Sequence, residues 1–200
     1  MVVNSCGLIM FKKNKRCRID FSPLTMQGKN KAFSLLFPME AVFESYFASV
    51  LAKRLPNDLR LKTQASSEYL VLHKSKKIFQ LKSDLLFQHV NNSENACVFD
   101  ARWKLVSYTG KSDEKSKYGL SQADFYQMFA YGHQYLKGEG ELFLIYPSHE
   151  DFQEAIKHSF DVNQKLKLWI VPFDISAETP DEKRLILPYN CALKSIDNVR

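Results

Sequence analysis

The sequence predicts a mixed α/β fold, a sheet covered by helices on both faces. Three observations predict it. Apolar residues recur with a 3.6-residue period over residues 37–56, which marks an amphipathic helix. Strand-like runs separated by polar turns follow over residues 67–108. Finally, "GELFLIYP" (140–147) and "KLKLWIVPFDI" (165–175) are continuous apolar runs of the kind found in strands buried on both faces. The predicted order is helix, strand, strand, strand, helix, strand, helix, strand, with the first three strands antiparallel. At 200 residues, 45% hydrophobic and 13% aromatic, the chain can build one sizeable core.

Residues 1–30 lack periodicity and carry the basic cluster "KKNKRCR". They read as an irregular basic leader, with a nucleic-acid-binding arm as the alternative. Residues 31–178 are expected to form the folded domain and 179–200 a polar tail with one apolar patch. In the first helix Met39, Val42, Phe43, Tyr46, Phe47 and Val50 make the apolar stripe, and Pro56 ends the pattern. Glu40 and Glu44 lie one turn apart on it, and Glu44 borders the stripe, where a carboxylate is either a plain boundary residue or one aimed at a site.

"SEYLVLHKS" (67–75) and "KKIFQLKSDLLFQHV" (76–90) read as two strands meeting at a polar turn, and "NNSEN" (91–95) is a strong turn signal. The third strand is "ACVFDARWKLVSY" (96–108), followed by a solvated loop, "TGKSDEKSKYG" (109–119). The second helix, in "LSQADFYQMFAYGHQYLKG" (120–138), has Ser121 and Asp124 spaced as a capping box. Leu120 and Phe125 are placed as a hydrophobic staple, and Gly138 can close the far end. "SHEDFQEAIKHSF" (148–160) is expected to contain a further helix.

Lys and Arg exceed Asp and Glu by 28 to 22, for a net charge of +6, a balance compatible with phosphate-bearing partners. The four cysteines form no CxxC pair and have no His at zinc-ligand spacing, so neither a disulfide framework nor a zinc site is expected. No apolar run approaches the ~18 residues that span a bilayer, and the N-terminal charges follow the apolar stretch, the reverse of a secretory signal. The expected location is the cytoplasm. No GxxxxGK[ST] motif is present, so any NTPase must be a separate chain.

The segment that carries chemistry is "VFDARWK" (98–104). Asp100, Arg102 and Lys104 interrupt an apolar strand at a spacing of two, which puts them on one face. Antiparallel pairing about residues 91–95 can bring Asp84 close to opposite Asp100. Two converging carboxylates repel unless a cation lies between them, and a hard divalent ion suits them. A cationic side chain beside them can hold a water or a phosphate. The same pattern also fits the solvent face of an edge strand, where cross-strand ion pairs contribute little.

The arrangement of Asp84, "DARWK" at 100–104, the Glu44 helix and "SQADFYQMFAYG" resembles the PD-(D/E)xK nuclease core. In particular it resembles the C-terminal nuclease domain of the McrC family, the cleavage subunits of McrBC modified-cytosine restriction systems. "FSLLFPMEAVFESYF", "VFDARWK", "SQADFYQMFAY" and "FLIYP" are similar to segments of that domain in the same order, over residues 30–175. The resemblance implies a restriction-endonuclease-like core with a mixed sheet flanked by helices. It implies an Mg²⁺- or Mn²⁺-dependent endonuclease that cuts modified foreign DNA, with a homodimer on DNA as one arrangement. Asp84 and Asp100 would be metal ligands, the main-chain carbonyl of Ala101 a further ligand, and Glu44 an acidic residue near the metal. Gln127 and Tyr131 match the QxxxY pattern of RecB-like nucleases, and Asp124 reads as a cap. The implied partner is a separately encoded McrB-like AAA+ GTPase. Thirty irregular residues cannot supply the region that docks on that motor, so the chain is expected to be a truncated homologue, a fragment or a stand-alone nuclease domain.

Two positions depart from the motif. Ser83 stands where its name has Pro, a common variation. Arg102 stands at the catalytic lysine, and a guanidinium can orient phosphate or water but cannot act as a base. Lys104, one pleat further along, could take over that role. The alternative expectation is therefore a catalytically impaired homologue that binds DNA or a partner motor without cleaving.

Overall fold

The computed structural model of the chain describes residues 38–106 and 117–193. The expected leader over residues 1–30, and most of the expected loop over 109–119, lie outside them. Helix α1 (Met39–Ala52) forms where the periodic stripe predicts it and buries Phe43, Phe47, Val50 and Leu51. Glu40 sits in its first turn, where a carboxylate complements the helix dipole. Strands β1 (Leu59–Ala65), β2 (Tyr69–His73), β3 (Lys76–Gln80), β4 (Ser83–His89) and β5 (Asn95–Ala101) follow. Helix α2 (Gln122–Tyr135), β6 (Gly140–Pro147), β7 (Phe160–Asp161) and β8 (Leu166–Phe173) complete the regular elements.

Six strands form one mixed sheet in the order β1-β4-β5-β6-β8-β7. β1, β4 and β5 pair antiparallel, β5, β6 and β8 run parallel, and β7 is an antiparallel edge on β8. Side-chain alternation sends the strand residues to two cores. Leu85, Phe87, Phe99, Phe143, Ile145, Trp169 and Val171 face α1 on one side. Leu86, Val98, Leu142, Leu144, Leu168 and Ile170 face α2 on the other. The sheet is thus covered on both faces, as expected.

Four expectations are corrected. Strand β1 was not anticipated, although Leu59, Leu61, Thr63 and Ala65 alternate with polar residues. The run 76–90 is two strands, because the chain leaves the sheet at residue 65 and returns only at 83. In between, β2 and β3 form a separate two-stranded sheet, so the antiparallel trio of the main sheet is β1, β4 and β5. The third strand ends at Ala101 rather than running through Lys104. Arg102 still donates its backbone N–H to Ile145 (2.8 Å), after which Trp103 turns its ring against Phe43, with centroids 5.6 Å apart. Residues 148–160 contain no helix. Phe152 and Ile156 are buried at a helix-like spacing, but Ile156 N–H bonds the β8 carbonyl of Ile170 (3.1 Å) and His149 bridges Phe152.

After β8 the chain folds back on it. Asp174 N–H donates to the Arg184 carbonyl (2.7 Å), and Cys191 and Leu193 are buried in the α1-side core. No helix among the described residues is long and apolar enough to cross a membrane.

Phe47 is fully buried, with ring contacts to Phe99 (5.8 Å) and Phe173 (5.1 Å) that tie α1 to β5 and β8. Phe47→Ala is expected to lower unfolding stability by about 3–5 kcal/mol in urea titration. Leu72→Ala, at a residue 70% exposed on β2, should change it by less than ~0.5 kcal/mol.

Candidate functional site

One end of the sheet collects nearly all the polar chemistry. β5 finishes there, β4 begins there, and α1 and α2 both start beside it. The register Leu85↔Phe99 and Leu86↔Val98 continues to place Asp84 opposite Asp100, both on the α2 face. Asp84 Oδ2 accepts the Ala101 N–H at 2.8 Å, which locks the carboxylate against the end of β5. Asp100 is 1% exposed in an otherwise apolar central strand. A carboxylate taken so far from water requires a partner.

The partner at hand is Arg102. Its Nη2 lies 2.6 Å from Asp100 Oδ2 and donates to Gln127 Oε1 at 2.5 Å. That contact is the close charge pairing of Asp100 Oδ2, and it pulls against the effect of burial on the carboxyl. Arg102 also meets Glu40 Oε1 (3.3 Å) and Asp124 Oδ1 (3.9 Å). Gln127 Nε2 reaches Asp100 Oδ1 (3.4 Å) and donates to the Tyr131 hydroxyl (2.6 Å), which donates to the Lys82 carbonyl (2.5 Å). Gln127 and Tyr131, four apart on α2, therefore point the same way and wire Asp100 to the root of β4.

Lys104 stands apart from that group. Its Nζ pairs with Asp124 Oδ2 at 2.6 Å and lies over the Tyr146 ring, 5.8 Å from the centroid. Asp124 closes the predicted capping box with Ser121 and at the same time anchors this lysine. Glu44 accepts from Gln64 Nε2 (2.8 Å) on β1 and lies near enough to Asp84 to act on its titration. Sequence reasoning did not single out Glu40, Gln64 or Tyr146 as site neighbours. Glu40, one turn before Glu44, carried a signal; a tyrosine inside a continuous apolar strand carried none.

The electrostatics follow from burial. Desolvation pushes the Asp84 carboxyl up to about 6; the Ala101 N–H opposes this and Glu44 adds repulsion. Desolvation and then the Asp84 charge push Asp100 up to about 8, against the pull of Arg102. Burial opposes the charge on Arg102, but Asp100, Asp124 and Asp84 outweigh it and hold the guanidinium above its ordinary value. Burial likewise opposes ionisation of Asp124, yet the Lys104 and Ser121 hydrogen bonds keep it below the usual carboxylate range.

Among the described residues no group of three or more His, Cys, Asp and Glu is placed to hold a metal ion. The donor set that does converge is two carboxylates, half-buried Asp84 and buried Asp100, beside the Ala101 main chain. That is an all-oxygen set of the kind a hard divalent cation takes with one or two carboxylates and water. It fits such an ion by donor type, and Arg102 presently supplies the positive charge.

Residues 16–147 match the family described as McrBC 5-methylcytosine restriction system component. The chain is also similar to a chain in the Thermococcus gammatolerans assembly of McrB AAA+ hexamers with bound McrC. The identity there is 17%, over 72% of this chain and 29% of that one, with a TM-score of 0.49. This chain thus spans less than a third of that neighbour's length. No curated protein matches it.

Both carboxyls titrate above their unfolded value of 3.8, so between about pH 4 and pH 8 the folded state holds protons that the unfolded chain has released. Stability from this pair is therefore greatest at low pH and falls as pH rises through that window. Asp100→Asn is expected to shrink the loss of unfolding free energy between pH 5 and pH 8, read by urea titration at both. An unchanged pH difference would show that the pair is not desolvated.

Proposed function

Because this chain belongs to the McrBC 5-methylcytosine restriction system component family, we propose that it is a nuclease domain of McrC type with a PD-(D/E)xK core, hydrolysing phosphodiesters in modified DNA with Mg²⁺ or Mn²⁺. One observation carries the reading: half-buried Asp84 and buried Asp100 face each other across adjacent strands, and burial with the Asp84 charge holds Asp100 above the usual carboxylate range in spite of Arg102. Asp84, Asp100 and the Ala101 carbonyl would hold the cation. Once bound, such an ion stabilises charge on phosphoryl oxygens and makes a bound water more acidic.

The chain's own residues supply the remainder. Gln127, held by Tyr131, fixes the orientation of Asp100. Arg102, permanently protonated, holds a phosphate oxygen or a water and abstracts no proton. Arg102 also pairs with Glu40 and Asp124, which would keep its guanidinium at the site if Asp100 served as a metal ligand. Glu44 is the remaining carboxylate close to Asp84 and is held ready by Gln64. As a component of a restriction system, the domain would work with a separately encoded McrB-like AAA+ GTPase, and double-strand cleavage would require two copies on DNA.

A second reading has its own observation. Arg102 stands at the motif lysine and already pairs with Asp100 at 2.6 Å, the arrangement expected if the site binds DNA or a partner motor without cutting.

Nicking of supercoiled plasmid separates the two. The expected result is Mg²⁺- or Mn²⁺-dependent nicking that Asp84→Ala and Asp100→Ala each lower by at least ~100-fold. DNA binding without cleavage at any concentration of either ion sinks the nuclease reading. Arg102→Lys is expected to raise the rate by ~10-fold or more, since lysine can exchange a proton where arginine cannot.

A further inference from the structure

The hairpin β2–β3 stands outside the main sheet; its root joins β4 just before Asp84, and its first strand lies along the C-terminal half of α2, where Gln134 Nε2 donates to the Leu70 carbonyl (3.4 Å) and Lys137 lies 4.0 Å from Glu68. Lys74 and Ser75 form its two-residue turn, both left-handed (φ 46° and 62°), the conformation whose twist matches that of paired strands. The register Val71↔Ile78, Leu72↔Lys77 and His73↔Lys76 is regular up to that turn. All ten residues 71–80 are exposed. A two-stranded ribbon of this kind is marginal by itself, so its root must be held. Gln80 Nε2 donates to the Ser66 carbonyl (2.7 Å), and Leu81 N–H donates to the Glu68 carbonyl (2.8 Å). The Tyr135 hydroxyl bridges the Ala65 (2.6 Å) and Leu81 (2.9 Å) carbonyls, and Tyr131 bonds Lys82, two residues before Asp84. The ribbon is therefore anchored by the same helix face that positions Asp100, through the same Tyr131.

Its surface chemistry is lopsided. Residues 66–82 contain Lys74, Lys76, Lys77, Lys82 and His73 against the single acid Glu68. Among the described residues, Lys74, Lys76 and Lys82 have no ion-pair partner, and Lys77 lies over the Tyr69 ring at 5.3 Å. Leu72 and Phe79 are each 70% exposed, and Phe79 takes a left-handed φ of 58° that aromatic residues rarely adopt. Lysine is depleted from protein–protein interfaces, whereas unneutralised lysines on a projecting ribbon match a phosphate backbone. The major groove of B-DNA admits a two-stranded β-ribbon.

We infer that the β2–β3 hairpin, whose root is tied through Tyr131 to the strand that carries Asp84, grips duplex DNA, Lys74, Lys76 and Lys77 pairing with phosphates and Leu72 and Phe79 lying against the groove wall. This rests on the DNA reading above and adds an element that holds the duplex.

The test is fluorescence anisotropy of a labelled short duplex with the full chain in EDTA, so that no strand is cut. The triple variant Lys74→Glu, Lys76→Glu, Lys77→Glu is expected to bind at least ~30-fold more weakly at ~0.1 M salt. Its plot of log affinity against log salt should be shallower by about 2–3. The triple Lys→Arg variant should stay within ~3-fold of the unaltered chain, because charge rather than shape is being read. Thermal melting should be the same for all three, since the altered side chains are exposed. If the unaltered chain binds and nicks DNA but the charge-reversed variant binds with the same affinity and salt slope, the hairpin inference falls and the nuclease reading stands. If the unaltered chain neither binds nor cuts, both fall. If Leu72→Ser with Phe79→Ser changes the association state in sedimentation while charge reversal leaves DNA affinity unmoved, the hairpin is a protein-binding surface and the inference is overturned.

Discussion

The arrangement at this end of the sheet depends on one buried charge, the Asp100 carboxylate on the central strand β5. Its neighbours on that strand, Cys97, Val98 and Phe99, are apolar and inaccessible, so water cannot solvate it. Asp84 across the ladder makes matters worse, because a second carboxylate repels the first. Everything nearby answers this demand. Gln127 and Arg102 converge on Asp100, Tyr131 holds Gln127, and the Ala101 N–H holds Asp84. Such a pair stays raised in pKa even with Arg102 beside it, and this residual instability is what a divalent cation would relieve.

The fold brings this pair to one edge of the sheet. β5, β6 and β8 run parallel, so their carboxyl ends lie at one edge, and open parallel sheets characteristically present their sites there. The antiparallel strand β4 starts at this same edge, which is how Asp84 reaches Asp100 from a residue sixteen positions earlier. Helix α2 enters there with a capping box whose acid, Asp124, also holds Lys104. Because Asp124 takes the lysine, Lys104 is not poised beside Asp100, and the guanidinium of Arg102 alone occupies that position.

Much of this was legible in the residues. The α1 stripe, the capping box at Ser121 and Asp124, the two buried parallel strands and the facing of Asp84 and Asp100 all follow from local periodicity and turn placement. The failures were of another kind. The segment 148–160 has helix-like spacing, but its backbone groups find partners in β8, so tertiary pairing overrides the pattern. The run 76–90 alternates loosely enough to pass for one strand, yet the carbonyls of Leu81 and Lys82 are taken by Tyr135 and Tyr131, which separates the β3 hairpin strand from β4, where the chain re-enters the main sheet.

The sequence by itself determined which residues are the candidates, because a carboxylate in an apolar strand with a cation two residues later stands out, and strand periodicity with the turn at 91–95 puts Asp84 opposite Asp100. Only the tertiary structure decided which cation serves which acid. Arg102 and Lys104 are equivalent in spacing, but β5 stops at Ala101, and beyond a strand end side-chain direction is set by the partners available in space. Arg102 found Asp100, Gln127 and Glu40; Lys104 found Asp124 and the Tyr146 ring. Apart from Asp100 on β5 itself, those partners come from α1, α2 and β6, elements that meet only in the folded chain.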